Sequence, residues 1–242
     1  MSRWNPEIVI DEDRWKAVRF TLFAIVGMLL LNIPATVFHL GWQSAAFNTA
    51  LVLVVFIAYA AKRRDAWLFG WIVFGLVAGV VELGADWWLV HDTKTLVYAA
   101  DEPMILASPV YMPGAWAEVL MQLGILGYFL RSKFPMWVAI LATSLIAGVN
   151  IPLYESFAKG ADWWIYENTP MILDAPWYII LGEALLGPVL VWFAVLMHDK
   201  PLQRCVPLGI AMGLWIFVAY WLAWILVGPC DGALIQLPCT GA

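Results

Sequence analysis

AWLFGWIVFGLVAGVVELGADWWL, residues 66 to 89, is the stretch that settles what kind of chain this is. Wound as an α-helix at 1.5 Å per residue, it reaches roughly 36 Å, past the ~30 Å hydrocarbon core of a bilayer. Residues 66 to 81 carry no charge, and the two acids that follow, Glu82 and Asp86, stand four apart near its end. Runs of the same character lie on either side, at about 18–40, 45–61, 113–131, 134–154, 176–197 and 205–228, making seven in all. The chain is 63% hydrophobic and 13% charged, whereas soluble domains carry about 25% charge. The runs are continuous rather than alternating, which argues against a membrane β-barrel. The expected fold is therefore all-α: a polytopic membrane helix bundle of about seven transmembrane helices, one domain over residues 1–242. The polar stretch Met1 to Arg19 leads into an apolar run too long for a signal-peptide core, so the N-terminus is expected to be retained.

Basic residues punctuate the runs. Arg3, Arg14, Lys16 and Arg19 precede or open the first, and Lys62, Arg63 and Arg64 follow the second. Arg131 and Lys133 follow the fourth, and Lys200 and Arg204 the sixth. Eleven of the 13 Lys and Arg thus fall on one side, with only Lys94 and Lys159 on the other. The positive-inside rule makes the rich side cytoplasmic. It predicts a multi-pass protein of the cell membrane with its N-terminus inside and its C-terminus outside. Cys230 and Cys239 then lie in the outer tail, where a disulfide can persist; either they bridge or they remain free thiols. Cys205 falls on the inner side.

The chain also repeats itself. Gly84-Ala85-Asp86-Trp87-Trp88 returns as Gly160-Ala161-Asp162-Trp163-Trp164, and Pro103-Met104-Ile105-Leu106, with Pro109 and Tyr111, returns as Pro170-Met171-Ile172-Leu173, with Pro176 and Tyr178. Each copy covers one helical hairpin, about 66–131 and about 134–197, and both start on the same side, as parallel repeats do. Aligned on Asp-Trp-Trp, the first outer loop (about 89–112) is the longer, with an insertion placed to fold over the outer mouth. Tryptophan pairs at membrane interfaces are ordinary anchoring residues; that reading covers the aromatics but not the acids beside them.

Six acids accompany the repeat: Glu82, Asp86, Glu118, Glu155, Asp162 and Glu183. All fall toward the outer half of the membrane, and no Lys or Arg stands at matching depth to pair with Glu82, Glu118 or Glu183. Intramembrane carboxyls are expensive and mark pathways, proton relays or ligand sites. Asp86, Asp162 and Glu155 also suit solvated helix ends, and that alternative stays open. Glu82, Glu118 and Glu183 must be neutral, hydrated, metal-bound or hydrogen-bonded, with Gln122, Asn150, Tyr154 and Tyr178 as candidate partners. Candidate catalytic residues are therefore Glu118 and Glu183, assisted by Glu82, Asp86, Glu155 and Asp162. Candidate substrate-binding residues are Asn150, Tyr154, Trp163, Trp164, Tyr178, Trp87 and Trp88.

Several chemistries lack their residues. The seventh run has no lysine for a retinal Schiff base. Three scattered histidines supply no histidine-rich di-iron site and no facing haem pair. There is no Walker or GxGxxG element for nucleotides, no Glu-x-x-His metal pattern, and no basic tract to track nucleic acid. No cofactor and no metal is implied.

Trp163-Trp164-Ile165-Tyr166, then Pro176, then Glu183 resembles the layout of small polytopic carotenoid enzymes, the membrane lycopene cyclases and carotenoid hydratases. The resemblance covers about two hairpins. It implies a membrane-embedded enzyme that cyclises, hydrates or isomerises an isoprenoid double bond with carboxyl groups. The Pro-x-Glu-Glu signature of the cyclases is missing, since Trp177 and Tyr178 follow Pro176. The residues themselves suit that chemistry. A glutamic acid kept neutral in a low-dielectric site is a general acid, and aromatic faces stabilise a carbocation. The expected partner is a lipid or isoprenoid reaching the protein through the membrane. The alternative is a non-catalytic subunit that binds pigment, quinone or lipid within a larger membrane complex.

Overall fold

Asp11 starts the first helix by accepting a hydrogen bond from the backbone N–H of Arg14 at 2.8 Å, one of the orphan donors every helix start must satisfy. The computed structural model describes residues 8–199 and 201–239; Arg3 and Lys200, counted above, lie outside them. Seven helices follow in order: α1 Glu12–Val37, α2 Trp42–Arg63, α3 Ala66–Trp88, α4 Met112–Lys133, α5 Met136–Gly160, α6 Trp177–Leu196 and α7 Pro201–Val227. Asp65 caps α3 as Asp11 caps α1, taking the N–H of Leu68 at 3.0 Å. Among the described residues six of these helices are long and apolar enough to cross a membrane, α3 together with a π-helical turn, Leu89–Thr93. This is a multi-pass membrane architecture. The exception is α4, 22 residues long but carrying Glu118 and Gln122 within it.

Close approach, not hydrophobicity, holds helices together in lipid, and small residues permit it. Gly75 and Gly79 of α3 face the backbone of Ala117 and Pro113 on α4, where an added Cβ would come within 2.7 and 2.4 Å of backbone atoms. On its other side α3 meets Gly209 and Gly213 of α7 in the same way. Packed from both sides, α3 is the most buried of those six helices, with 61% of its most apolar stretch inside, whereas α1 buries 22%. A hydrogen bond from Asn48 to Asn32, 3.2 Å long, fastens α2 to α1; such intramembrane bonds contribute about 0.6 kcal/mol on average.

At one end of the bundle the connections form small antiparallel ladders that the sequence reading did not anticipate. β1 (Leu96–Tyr98) pairs with β4 (Trp164–Tyr166), joining the two hairpins, while β2 (Met104–Ile105) pairs with β3 (Ser108–Pro109) and β5 (Met171–Ile172) with β6 (Ala175–Pro176). Leu96 faces Tyr166, Val97 faces Ile165 and Tyr98 faces Trp164. The ladder is thus symmetric about Val97 and Ile165.

This geometry corrects the alignment of the two hairpins. Lys94 and Asp162, each two residues before its strand, both take left-handed backbone, at φ 54° and 58°. Leu106 and Leu173 do the same at the two hairpin tips, at 56° and 55°, a conformation unusual for a bulky residue. The counterpart of Asp162 is therefore Lys94, not Asp86. Asp86-Trp87-Trp88 sits on continuing helix, eight residues earlier, whereas Asp162-Trp163-Trp164 is a turn entering a strand. The expected insertion in the first loop shrinks to one residue, because the apparent surplus is helix and π-helical turn.

Cys230 and Cys239 form a disulfide. The tail folds back on the end of α7, where Leu234 and Ile235 donate to the carbonyls of Ile225 and Leu226.

Candidate functional site

Beneath the β1–β4 ladder lies a cavity of about 320 Å³, at the lower end of the range for small-molecule sites. Three carboxyls line it, one each from α3, α5 and α6: Asp86, Glu155 and Glu183. Each is 4–5% exposed, and each accepts a hydrogen bond from an aromatic side chain. Tyr98 Oη donates to Asp86 Oδ2 at 2.6 Å. Trp164 Nε1 donates to Glu155 Oε2 at 2.7 Å. Tyr220 Oη donates to Glu183 Oε1 at 2.8 Å. The ladder builds two of these contacts, since Tyr98 and Trp164 are cross-strand partners. The third depends on Gly182, where an added Cβ would sit 2.2 Å from the Tyr220 ring. Only a glycine lets that ring lie across α6 beside Glu183.

None of the ion pairs among the described residues includes a cavity carboxyl. Glu183 Oε2 is buried with no hydrogen-bond partner. Glu82, one turn below Asp86, is fully buried and meets no suitable donor with either oxygen. A proton shared with Asp86 would satisfy both acids. No group of three or more His, Cys, Asp and Glu among the described residues is placed to hold a metal ion.

The walls are aromatic and aliphatic. Trp116, Tyr154, Trp164, Tyr166 and Tyr220 surround the acids, while Leu22, Met28 and Leu29 of α1 form one side. Leu22 of α1 and Ile146 and Asn150 of α5 line the cavity and are exposed. The cavity is therefore open on the side that α1 and α5 border.

Of the residues singled out from sequence, Asp86, Glu155, Glu183, Asn150, Tyr154 and Trp164 come together here. Glu118 is buried between the wall residues Trp116 and Val119 but is not itself on the wall, and Glu82 lies behind Asp86. The others stand elsewhere. Asp162 is exposed at its turn, 3.6 Å from His39 Nδ1. Trp163 donates to Ser44 Oγ at 2.8 Å, holding the α1–α2 turn. Tyr178 bonds Thr95 at 2.7 Å and packs edge-on against Trp224. Trp87 is 45% exposed beside His91, and Trp88 packs on Phe217 and Trp224. The expected partners Gln122 and Tyr178 bond Met28 and Thr95 instead, because the donors that reach the acids come from strands and from α7. Sequence reasoning missed Tyr98 and Tyr220, and named Tyr166 only within the motif of the resemblance and not as a site residue. The matching Leu-Val-Tyr and Trp-Ile-Tyr triplets signalled Tyr98 and Tyr166, and Tyr220 is the one tyrosine of the last apolar run.

Outside the spans, the loop acids differ from one another. Burial pushes the Glu102 carboxyl up to about 7, against the opposing bond from Tyr111 Oη at 3.2 Å. Burial would also raise Asp174, but hydrogen bonds from Lys159 and Ser156 outweigh it and hold Asp174 below the usual range. At the opposite end of the bundle, burial and Arg14 push His198 down; Arg14 donates to the His198 ring and carbonyl and to Tyr128.

A family model described as "Domain of unknown function (DUF6989)" matches residues 83–227, well over half of the chain. The chain belongs to the DUF6989 family. No curated protein and no solved structure matches it. The DUF6989 region begins one residue after Glu82 and includes all three cavity carboxyls and their aromatic donors, Tyr98, Trp164 and Tyr220. Helices α1 and α2 precede it, so the family segment supplies the polar groups and α1 supplies the apolar side wall.

Proposed function

We propose that this protein is an integral membrane enzyme acting on a lipid or isoprenoid by carboxyl acid–base chemistry: cyclisation, hydration or isomerisation of a double bond. One observation carries the reading. Asp86, Glu155 and Glu183 converge on an apolar cavity open on the side that α1 and α5 border, each held by one aromatic donor and none by a cation. In its acid form Glu183 protonates an alkene carbon, the π-electrons forming the new C–H bond and leaving a cation on the neighbouring carbon. The faces of Trp116, Tyr154, Tyr166 and Tyr220 are placed to stabilise that cation. Ionised Asp86 then removes a proton, so that a double bond re-forms, or takes one from a water that adds to the cation. Tyr98 and Tyr220, being hydroxyl donors and acceptors, can follow the change of charge on their acids.

The basic loops set the orientation in this reading, with the N-terminus cytoplasmic and the strand-bearing end outside. The two hairpins are read as parallel repeats of one ancestral unit, in step at their strands. The resemblance to lycopene cyclases and carotenoid hydratases stands as part of the proposal, at the level of chemistry.

The test is the purified protein in lipid nanodiscs, incubated with a panel of linear isoprenoids, followed by extraction and mass spectrometry. An isomeric or hydrated product from wild type, lost in Glu183→Gln while the protein stays folded, supports the reading. An unchanged pigment, quinone or lipid, recovered equally from both, would overturn it in favour of a binding subunit.

A further inference from the structure

A second, smaller cavity of about 140 Å³ lies against the first and shares three of its side chains: Glu155, Trp164 and Tyr166. Its remaining walls have a different character. Lys159 and Asp174 form an ion pair across it at 2.7 Å, and Glu167 borders it. Lys159, Ile165 and Glu167 are exposed, so this cavity adjoins the surface of the strand-bearing end. The main cavity is apolar and opens sideways; the small one is charged and opens endwise. Glu155 belongs to the partition between them.

We infer that Glu155 is the proton port of the main cavity, the carboxyl that exchanges protons with water in the small cavity and passes them to Asp86 and Glu183. The three acids differ in their donors. Tyr98 and Tyr220 carry hydroxyls, which can both give and take a proton. Trp164 Nε1 is a donor only; it fixes Oε2 of Glu155 and cannot relay. The Trp164 bond thus favours the other oxygen of Glu155 for proton traffic. A proton moves from water to the Glu155 carboxylate, then from the resulting acid to an ionised Asp86 or Glu183, and Glu155 returns to carboxylate. On the water side the groups that bias this exchange are Lys159, Asp174 and Glu167. On the inner side they are Tyr154, Tyr166, Asp86 and Glu183.

The catalytic consequence rests on the proposed function, but the port itself is a property of the side chains and needs no substrate. Carboxyl infrared bands of the full chain in nanodiscs are followed after a jump into D₂O buffer. At a pH where the cavity acids are protonated, the Glu155 band, identified by its absence from Glu155→Gln, is expected to shift first, and the bands of the other cavity acids at least about tenfold more slowly in that variant than in wild type. Equal rates in the two proteins would overturn the proposal. A second measurement uses wild type alone, where folding is not in question. A water-soluble carbodiimide with a nucleophile should label Glu155 ahead of Asp86 and Glu183, read by peptide mass spectrometry. Labelling of Asp86 or Glu183 at the same rate would overturn it. Slowed exchange without turnover on any isoprenoid counts against the enzyme and not the port; turnover with unchanged exchange counts against the port alone.

Discussion

Asp86-Trp87-Trp88 and Asp162-Trp163-Trp164 are the same word in two places, and they have nothing structural in common. Asp86 is on the last turns of α3, 4% exposed, bonded to Tyr98 and facing the cavity. Asp162 is on a turn with left-handed backbone, its side chain 65% exposed. The tryptophans trade roles in the opposite sense. Trp87 is on the outside of its helix, whereas Trp163 is 2% exposed and ties α5 to the α1–α2 turn through Ser44. Thr36 reinforces that tie by donating to the carbonyl of Phe157. Identical letters therefore reach the cavity through Asp86 in the first hairpin and through Trp164 in the second, while the other four serve packing or face outward. Local sequence identity is a weak guide to equivalence when the same motif lies eight residues further from its strand in one hairpin than in the other.

The two aspartates should differ most. Asp86→Asn is expected to lower product formation by about 100-fold or more, the range for loss of an acid–base group. Asp162→Asn should leave it within about twofold. Equal losses would erase the distinction.

The tryptophans give the next largest effect. Trp164→Phe removes the donor from Glu155 and should lower turnover by about tenfold, because a carboxylate left without its bond is both costly and misoriented. Trp163→Phe loses the Ser44 bond and part of the packing of a buried indole ring. It should cost at least about 1 kcal/mol of stability, seen as a lower Tm, with turnover retained.

A smaller difference separates the two loops. Glu102, bonded to Tyr111, has its counterpart in Thr169, which bonds the carbonyl of Gly228 and does not titrate. The Glu102 carboxyl lies near 7 when folded against 4.5 ordinarily, so between those values the folded chain holds a proton that the unfolded chain releases. Its contribution is complete below pH 4.5 and lost as pH rises through 7. The Tm should fall across that window, and Glu102→Gln should flatten the fall. A steeper fall in the variant would contradict the assignment.

The smallest effect lies outside both hairpins. Asn48→Ala should cost about 0.6 kcal/mol by removing the bond to Asn32. It should leave turnover unchanged, read from the Tm and the product assay together.

Apolarity made most of the fold legible. The expected run 66–89 is α3 Ala66–Trp88, and 176–197 is α6 Trp177–Leu196. Helix ends were less legible, because polar caps set them. The first run was expected from about 18, but Asp11 begins the helix at Glu12, so charged residues up to Arg19 are helical too. The acids Asp86, Glu155 and Glu183 stood out because a carboxyl in an apolar run is expensive. Their donors did not, because Tyr98 reaches Asp86 through a strand pairing and Tyr220 reaches Glu183 across two helices, contacts that no local period encodes. The misplaced Asp162 has the same origin: a shared motif reports a position along the chain and not the register of a helix.

The ladder centred on Val97 and Ile165 also limits how this family can vary in length. One residue added within either strand would slide the pairing by one and turn every side chain beyond it to the opposite face. Tyr98 would leave Asp86, or Trp164 would leave Glu155. Insertions and deletions in relatives should therefore collect at the hairpin tips, around Leu106 and Leu173, and between the strands, and avoid Leu96–Tyr98 and Trp164–Tyr166. This chain already follows that rule: the one residue by which its loops differ falls between Tyr98 and Met104, in the stretch where the ladder does not feel it.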